Sequence, residues 1–267
     1  MMYQFHAKTD PGRCRENNED SVAFDEQALV AVLADGMGGY NAGEIASGMA
    51  TAFIKAELSR WLSEAGANAQ IRDIRRAMEI CVDNANIAIY NSANANPSFA
   101  GMGTTLVLGV IKDGRLLVGH IGDSRCYRIR QGRMEQITKD HSLLQEQIDA
   151  GILTPEQAQY SANKNLVTRA LGVEDVVLLE SHQHDLVHGD VILMCSDGLS
   201  DMLTDPEIAG VLAAYPHSLP EMGEALVAAA NEAGGRDNIA VVLVRAQGDA
   251  DPAPRSWWPF KRLSGHA

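Results

Sequence analysis

Four aspartates in this 267-residue chain stand beside glycine, serine or asparagine and close to an apolar run. Mg²⁺ and Mn²⁺ prefer oxygen ligands in a near-octahedral array, which carboxylates, backbone carbonyls and waters supply. Together with Arg15, Glu19 and Asp20 near the start of the chain, the four aspartates predict a site for hard divalent cations and a phosphate. The four stretches are Asp35-Gly36-Met37-Gly38-Gly39, Gly122-Asp123-Ser124-Arg125, Ser196-Asp197-Gly198 and Gly235-Arg236-Asp237-Asn238.

The apolar runs beside these aspartates predict buried strands, which strengthens the interpretation. Asp35, Asp123 and Asp197 each come after such a run, and Asp237 comes just before one. An ordinary turn accounts well for any single Asp-Gly. It accounts poorly for four, because turn aspartates have no need to lie beside buried strands. A carboxylate at the end of a rigid strand is well placed to hold an ion.

Composition and charge exclude several classes of protein. The length allows one large domain or two small ones with a full apolar core. The four cysteines form no Cys-x-x-Cys pair and no Cys/His run at zinc-finger spacing, so we expect reduced thiols in the core and no zinc. The formal net charge of −13 argues against a nucleic-acid ligand and favours attraction of divalent cations.

We expect a cytoplasmic protein without a membrane-spanning segment. The first eight residues lack the basic start and apolar stretch of a signal peptide. No apolar run approaches the roughly 20 residues that a membrane helix requires.

The order of the predicted elements favours an α+β fold. Strands are clustered, and two helical pairs interrupt them, which is not the alternation of βαβ units. In the first pair, the predicted core-facing side of the first helix contains Ile45, Met49, Phe53 and Ala56. That of the second helix contains Ile74, Met78, Cys81, Ala85 and Ile89. The second pair is predicted at 205–214 and 220–232, with Thr204 or Asp205 as the first N-cap. The predicted strands are 3–8, 21–24, 29–34, 104–111, 116–121, 126–129, 176–181, 191–195 and 239–245.

Two segments are predicted to lie outside the sandwich of strands and helices. Residues 140–172 contain helical pieces at 143–150 and 155–161 but no continuous strand, which suggests a flap at the edge of the site. After Arg245 the composition is that of a linker, so residues 247–267, with Trp257 and Trp258, are predicted to be a flexible tail. A membrane-surface or partner-docking role of these aromatic and cationic residues is the alternative.

The motifs, taken in order, resemble those of the type 2C metal-dependent protein serine/threonine phosphatases, bacterial branch. The resemblance spans about residues 9–245, and several separated motifs agree in both identity and order. They are Arg15-x-x-Asn-Glu19-Asp20, Asp35-Gly-Met-Gly-Gly-x-x-x-Gly-Glu44, Gly101-Met-Gly-Thr-Thr105, Gly122-Asp-Ser-Arg125, Asp140-His-Ser142, Leu166-Val-Thr-Arg-Ala-Leu-Gly172, Ser196-Asp-Gly-Leu199 and Gly235-Arg-Asp-Asn238.

The resemblance implies a four-layer αββα sandwich of two antiparallel sheets flanked by helix pairs, with a flap subdomain, in a phosphatase domain of residues 1–246. It also implies two to three Mn²⁺ or Mg²⁺ ions. By position, Asp35 bridges two ions, Gly36 gives its carbonyl to the first, and Asp197 and Asp237 hold the second. Asp123 helps to bind a third.

The remaining site residues implied by the resemblance surround the ions. Glu19 and Asp20 orient waters on the cations, and Arg15 binds the substrate phosphate. Two close cations lower the pKa of a bridging water from ~15.7 toward neutrality, which supplies a nucleophile without a reactive cysteine or serine. The forked guanidinium of Arg15 suits phosphate oxygens.

The sequence departs from the family pattern at two places. Eukaryotic members have a histidine at the position of Met37, often proposed as the acid for the leaving group, and a thioether cannot donate that proton. The bacterial flap usually has His-Pro-x-Arg-Asn, whereas residues 160–165 here are Tyr-Ser-Ala-Asn-Lys-Asn. The second departure leaves flap shape and substrate preference open.

The predicted function is hydrolysis of phosphoserine and phosphothreonine in proteins, opposing a bacterial serine/threonine kinase, by a monomeric enzyme. One rival is a non-catalytic phosphoprotein-binding module on the same fold. Another is a metal-dependent phosphodiesterase or nuclease, which the acidic charge disfavours. His182 and His184 share one strand face and suggest a transition-metal site, although solvent-facing strand histidines are the simpler interpretation.

Overall fold

The computed structural model describes residues 1–39, 42–154, 157 and 166–248. In this part of the chain, two antiparallel sheets pack face to face. Sheet A contains, in spatial order, β1 (Met2–Asp10), β11 (Ile239–Gln247), β10 (Val191–Cys195), β7 (Arg125–Arg130) and β8 (Arg133–Gln136). Sheet B contains β2 (Asp20–Asp25), β3 (Val30–Met37), β5 (Leu106–Lys112), β6 (Arg115–Ile121) and β9 (Glu180–Asp185), with the short β4 (Gly103–Thr104) paired to β3.

Helices cover the outer face of each sheet. The long helices α1 (Ala42–Ala65) and α2 (Ile71–Ala95) pack on sheet B. On sheet A lie α5 (Asp205–Ala214) and α6 (Leu219–Glu232). The predicted αββα sandwich is therefore confirmed. Shorter elements are α3 (Leu143–Asp149), α4 (Asp197–Ser200) and two 3₁₀ turns, Gly66–Asn68 and Pro97–Phe99.

Three apolar layers hold the sandwich together, and the alternation of strand side chains explains them. Leu33 of β3 points between the sheets, where it joins Val107 and Val242, while its neighbour Val32 points toward α1 and α2. The third layer packs sheet A against α5 and α6 through Leu243 and similar residues. Because both faces of the central strands are buried, β3 and β11 are almost continuously apolar.

The buried face of α1 matches the prediction only in part, because Ile45 and Met49 pack against the core but Ala56 is exposed. Ala46, Ala50 and Ile54 face the core, whereas Phe53 is 36% exposed. The helix carries apolar residues on more than one face, so periodicity alone did not identify the inner one. The small alanines also let the helix approach sheet B closely. The predicted face of α2 is confirmed, because all five of its residues are buried.

Two strands were placed wrongly or missed. The strand predicted at 176–181 is β9, which begins four residues later, at Glu180. Val176 and Leu178 remain 68% and 74% exposed, and the polar β9 pairs with β6 at the sheet edge. The strand β8 was not predicted, because its polar sequence gave no apolar signal.

The described ends of the predicted flap pair with each other and with β4. Isolated bridges join Ser142 to Val167 and Thr104 to Leu171. The predicted helix at 155–161, the unusual segment 160–165 and the tail from 249 onward lie outside the described residues, apart from Gln157. Among the helices that the structure describes, none combines the length and apolarity needed to cross a bilayer.

Candidate metal centre

Asp35 and Asp20 lie opposite each other in the ladder between β2 and β3, at one end of sheet B. The backbone of Asp35 is held firmly. Its N–H donates to Oγ1 of Thr105 at 3.0 Å, and its carbonyl accepts from the Thr105 N–H at 2.9 Å and from Oγ1 of Thr104 at 2.9 Å. The Gly101–Thr105 motif therefore fixes Asp35 in place.

Gly36 must be a glycine because the start of α1 passes directly over it. A Cβ at this position would lie 2.1 Å from the Gly43 carbonyl oxygen and 2.6 Å from that of Glu19. The Gly36 N–H also donates to the Glu19 carbonyl at 3.1 Å. The glycine at position 36 thus allows backbone contact between β3, the start of α1 and the segment that carries Glu19.

Asp197 and Asp237 come from two turns of sheet A that also touch through a glycine. Asp197 begins α4 directly after β10, and Asp237 precedes β11. A Cβ on Gly198 would lie only 1.9 Å from the carbonyl oxygen of Asn238. The two carboxylates are therefore held at neighbouring ends of paired strands.

Asn238 ties the segment that carries Arg15 and Glu19 to sheet A. Its Nδ2 donates to the carbonyls of Pro11 and Asn17 at 3.0 and 2.8 Å. Its Oδ1 accepts from the Glu19 N–H at 2.8 Å. One buried amide therefore satisfies three backbone groups between β1 and β2.

Ser196 links the two sheets at the site. Its hydroxyl donates to Oδ2 of Asp20 at 2.7 Å and accepts from the Ala240 N–H at 2.9 Å. Asp20 belongs to sheet B and Ala240 to sheet A. The hydrogen bond therefore positions one carboxylate against the ends of β10 and β11.

The carboxylates crowd together and repel one another. Burial raises the pKa of Asp35 well above its ordinary value, and the negative charges of Asp20, Asp197, Asp123 and Asp237 raise it further. Burial likewise raises the pKa of Asp20 to about 7, against the lowering effect of the Ser196 hydrogen bond. The structure thus brings all four predicted aspartates and Asp20 into one electrostatic unit.

Arg15 and Glu19 lie at the edge of this unit. Nη2 of Arg15 is 2.6 Å from Oδ2 of Asp237, and about half of the Arg15 side chain is exposed. Burial raises the pKa of Glu19. The positive charge of Arg15 lowers this pKa, and the negative charge of Asp237 raises it. The two residues are therefore near Asp237 but differ in access to solvent.

Asp123 lies farther along sheet B, after β6. Burial and the charge of Asp140 raise its pKa to about 6, and Arg125 lowers it. Arg125 itself is engaged elsewhere, because its Nε and Nη2 donate to the Asp140 carboxylate at 3.0 and 2.7 Å. Asp123 is thus left without full charge compensation from this arginine.

The donor set fits hard divalent cations. Several carboxylates at one end of the sandwich have raised pKa values because each is buried beside others of the same charge. Divalent cations relieve such repulsion, and carboxylate oxygens suit Mg²⁺ and Mn²⁺ better than softer ions. Asp35, Asp123, Asp197 and Asp237 could serve as ligands, with the Gly36 carbonyl beside them.

Sequence reasoning quoted the motifs around the site but missed the roles of their polar neighbours. Thr105, Ser196 and Asn238 position the carboxylates through the hydrogen bonds described above. Asp201 was missed altogether, although its charge raises the pKa of Asp123 and Asp197. Its position four residues after Asp197, on the same short helical turn, was the available signal.

Comparison with known proteins agrees with this architecture. Residues 13–243 match the family described as Protein phosphatase 2C. The serine/threonine phosphatase stp of Listeria innocua serovar 6a is 35% identical over 241 residues, which cover 89% of this chain and 93% of that protein. The serine/threonine phosphatase of S. agalactiae superposes with a TM-score of 0.84 at 35% identity, over 92% of this chain and 100% of the other.

A further structure in this group contains metal. The catalytic domain of the phosphatase PstP, in complex with two manganese ions, has a TM-score of 0.79 and 35% identity, with coverage of 92% of this chain and 99% of the other. The fold and the cluster of carboxylates define a hydrolase of the metal-dependent phosphatase class. The chain belongs to the protein phosphatase 2C family and is a serine/threonine protein phosphatase.

The first prediction concerns Asn238. Asn238→Ala removes three hydrogen bonds to buried backbone groups and is expected to lower the free energy of unfolding by about 2–4 kcal/mol. Urea denaturation in the presence of chelator measures this. Asn94→Ala is the control, because Asn94 is exposed on α2 and, among the described residues, its amide makes one hydrogen bond, to the Tyr90 carbonyl. Equal effects of the two substitutions would contradict the role of Asn238.

The second prediction concerns pH. Cations must displace protons from carboxyls whose pKa values are raised, so the apparent affinity for Mg²⁺ should increase as the pH rises from 5.5 to 7.5, about tenfold per unit for each proton displaced. Without cations, the same carboxyls destabilise the folded state over this interval, since unfolded carboxyls have already lost their protons.

Thermal denaturation with and without Mg²⁺ at the two pH values tests this. The informative quantity is the change in melting temperature that Mg²⁺ causes at each pH, because the contributions of other titrating groups cancel in it. The stabilisation by Mg²⁺ should be larger at pH 7.5. A stabilisation of equal size at both pH values would show that binding displaces no protons.

Proposed function

We propose that the chain hydrolyses phosphoserine and phosphothreonine in proteins at the carboxylate cluster around Asp35, with two to three Mn²⁺ or Mg²⁺ ions. The observation that carries this is the convergence of like charges on Asp35, whose pKa is raised by burial and then by four neighbouring aspartates. Such an arrangement is unfavourable without cations and suits a site that binds them.

The ligand roles follow the resemblance to the family. Asp35, at the centre of the repulsion, would be shared by two cations, and the Gly36 carbonyl would serve the first. Asp197 and Asp237, held together through Gly198, would complete the second site, and Asp123 would contribute to a third cation. When bound, the cations activate a water for attack on phosphorus and neutralise phosphate charge.

Asp20 and Glu19 orient water beside Asp35. The Asp20 carboxylate is fixed by Ser196 and lies in register with Asp35, so it can accept a hydrogen bond in a defined direction. Glu19 is held by a backbone hydrogen bond from Gly43 at the start of α1. Both carboxylates are partly shielded from bulk solvent, which strengthens such hydrogen bonds.

Arg15 binds the substrate phosphate. It is exposed, lies beside Asp237 and has a planar group of five N–H donors, of which the ion pair with Asp237 engages one edge. A phosphate dianion bound beside the cations would gain a charge-assisted contact from the same side chain.

Met37 has no proton to give to the leaving group. Its terminal methyl carbon, Cε, would lie 3.0 Å from a Cβ placed on Gly103. Protonation of the serine or threonine oxygen therefore falls to water in the centre.

The opposing kinase, the monomeric state and the cytoplasmic location remain predictions from the sequence.

The third prediction concerns the metal ligands. Asp35→Asn or Asp237→Asn should reduce hydrolysis of a phosphothreonine peptide about 10³-fold or more, because each removes charge from a cation that supplies several kcal/mol of stabilisation. Asp113→Asn is the control, since Asp113 is an exposed turn aspartate. Circular dichroism shows whether each variant is folded. Full activity in excess chelator would contradict the metal-dependent reaction.

The fourth prediction concerns Arg15. Arg15→Ala should raise KM for the phosphopeptide about 10- to 100-fold, which corresponds to the loss of a charged hydrogen bond, without weakening Mg²⁺ binding. Arg13→Ala is the matched control, because Arg13 is an exposed arginine two residues away. If KM is the same in both variants, Arg15 does not bind the phosphate.

A further inference from the structure

A second group of metal-binding side chains lies where β6 and β9 meet the Asp140–Ser142 motif. We define it as the histidine cluster, consisting of His120, His141 and Glu180. Each of these residues offers one ligand atom, and the three atoms lie within 4.8 Å of one another. Two imidazoles and a carboxylate form a donor set different from the all-oxygen set around Asp35.

In the part of the chain that the structure describes, His120 carries a buried ring nitrogen without a hydrogen-bond partner. Its side chain is 0% exposed, and Nε2 lies 2.7 Å from the carbonyl oxygen of Lys139, to which it donates its proton. Nδ1 therefore has a free lone pair, and it has no hydrogen-bond partner in the described part of the chain. Burial lowers the pKa of His120, against the raising effect of its hydrogen bond to Lys139, so the ring is neutral near pH 7.

The arrangement of His120 is one that metal-binding histidines commonly have. Such a histidine usually donates one ring N–H to a backbone carbonyl or carboxylate, which fixes the tautomer and presents the other nitrogen to the ion. Here the Lys139 carbonyl takes the first role. A buried imidazole nitrogen that lacks a partner is otherwise unfavourable.

His141 completes the pair of imidazoles. Its ring stacks on that of His120 with 4.6 Å between the ring centroids. Nδ1 accepts from the Gly122 N–H at 3.2 Å, so the proton of the neutral ring is on Nε2, which lies 3.1 Å from Oε2 of Glu180. Nε2 is therefore the nitrogen that faces the carboxylate.

Glu180 connects the buried imidazoles to solvent. Its side chain is about one-third exposed, and its other oxygen, Oε1, accepts from Nε2 of His182 at 2.9 Å. Burial opposes ionisation, but the hydrogen bonds from His182 and His141 prevail and lower the pKa of Glu180 to about 2. The carboxylate is charged at neutral pH and is the most exposed member of the cluster.

We propose that the histidine cluster is a binding site for one Zn²⁺ ion, held by His120, His141 and Glu180. Two histidines and a glutamate, with water as the fourth ligand, form an established tetrahedral zinc set. The site needs no thiolate, which is the ligand whose absence from the sequence pattern argued against zinc. Imidazole ligands also favour zinc over Mg²⁺, so the two kinds of site differ in preferred ion.

Zinc binding changes the tautomer of His141. For Nε2 to bind the ion, the ring proton moves to Nδ1, where it faces the N–H of Gly122. No proton is gained or lost by the ring, but the Gly122 hydrogen bond is broken. Since Gly122 directly precedes Asp123, zinc at the histidine cluster is coupled to the position of that carboxylate.

The test is equilibrium dialysis of the full chain against Zn²⁺ in excess Mg²⁺, followed by metal analysis. Zinc can also enter the carboxylate cluster, so the informative quantity is the difference between variants. Wild type should bind one more equivalent of zinc than Glu180→Gln, or bind the last equivalent at least about tenfold more tightly. His120→Gln should behave like Glu180→Gln.

His217→Ala is the matched control, since His217 is exposed and lies away from the cluster, between α5 and α6. It should bind as much zinc as wild type. Glu180 lies near the surface, and circular dichroism and the melting temperature show whether its substitution preserves the fold. As a second measurement, zinc should shift the NMR amide resonance of Gly122 in wild type but not in Glu180→Gln.

Equal zinc content in wild type and folded Glu180→Gln would overturn the proposal. An unchanged Gly122 resonance at full zinc occupancy would overturn the coupling to Asp123. Neither measurement depends on phosphatase activity, so the result is independent of the function proposed for the carboxylate cluster.

Discussion

Electrostatic repulsion among buried carboxylates is the constraint on which the rest of this structure depends. Asp35 is surrounded by the charges of four other aspartates. Burial of Asp35 and of these neighbours opposes their ionisation. A folded protein can maintain such an arrangement only if the backbone is held by other interactions, since the side chains themselves favour separation. The scaffold therefore has to supply the stabilisation that the site does not.

Close backbone contacts and short polar bridges provide that support. Gly36 lets β3 approach the start of α1, and Gly198 lets α4 approach Asn238, more closely than any side chain would permit. Thr105, Ser196 and Asn238 then fill the remaining hydrogen-bonding capacity of these backbones. The apolar layers on both faces of each sheet keep the strands rigid. The repulsion among the carboxylates therefore does not distort the strands around the site.

The sequence predicted an α+β fold, its helix pairs and the aspartates that meet at the site, because each depends on a local signal. The αββα sandwich was implied by the resemblance to the family. Asp35, Asp123 and Asp197 follow apolar strands, and α2 has an unambiguous inner face. It did not predict the inner face of α1 or the position of β9, because these depend on which apolar residues the tertiary structure leaves exposed. The tie formed by Asn238 and the pairing of His120 with His141 join residues distant in sequence, which no local pattern reveals.

The position of β11 has a consequence for how the enzyme is made. This strand, the last of those that the structure describes, is inserted between β1 and β10 in sheet A, and it brings Asp237 and Asn238 with it. A growing chain that has not yet released residues 237–247 from the ribosome lacks both this strand and one proposed ligand. The active centre can therefore be assembled only after residue 247 has left the ribosome, and a nascent phosphatase remains inactive until then.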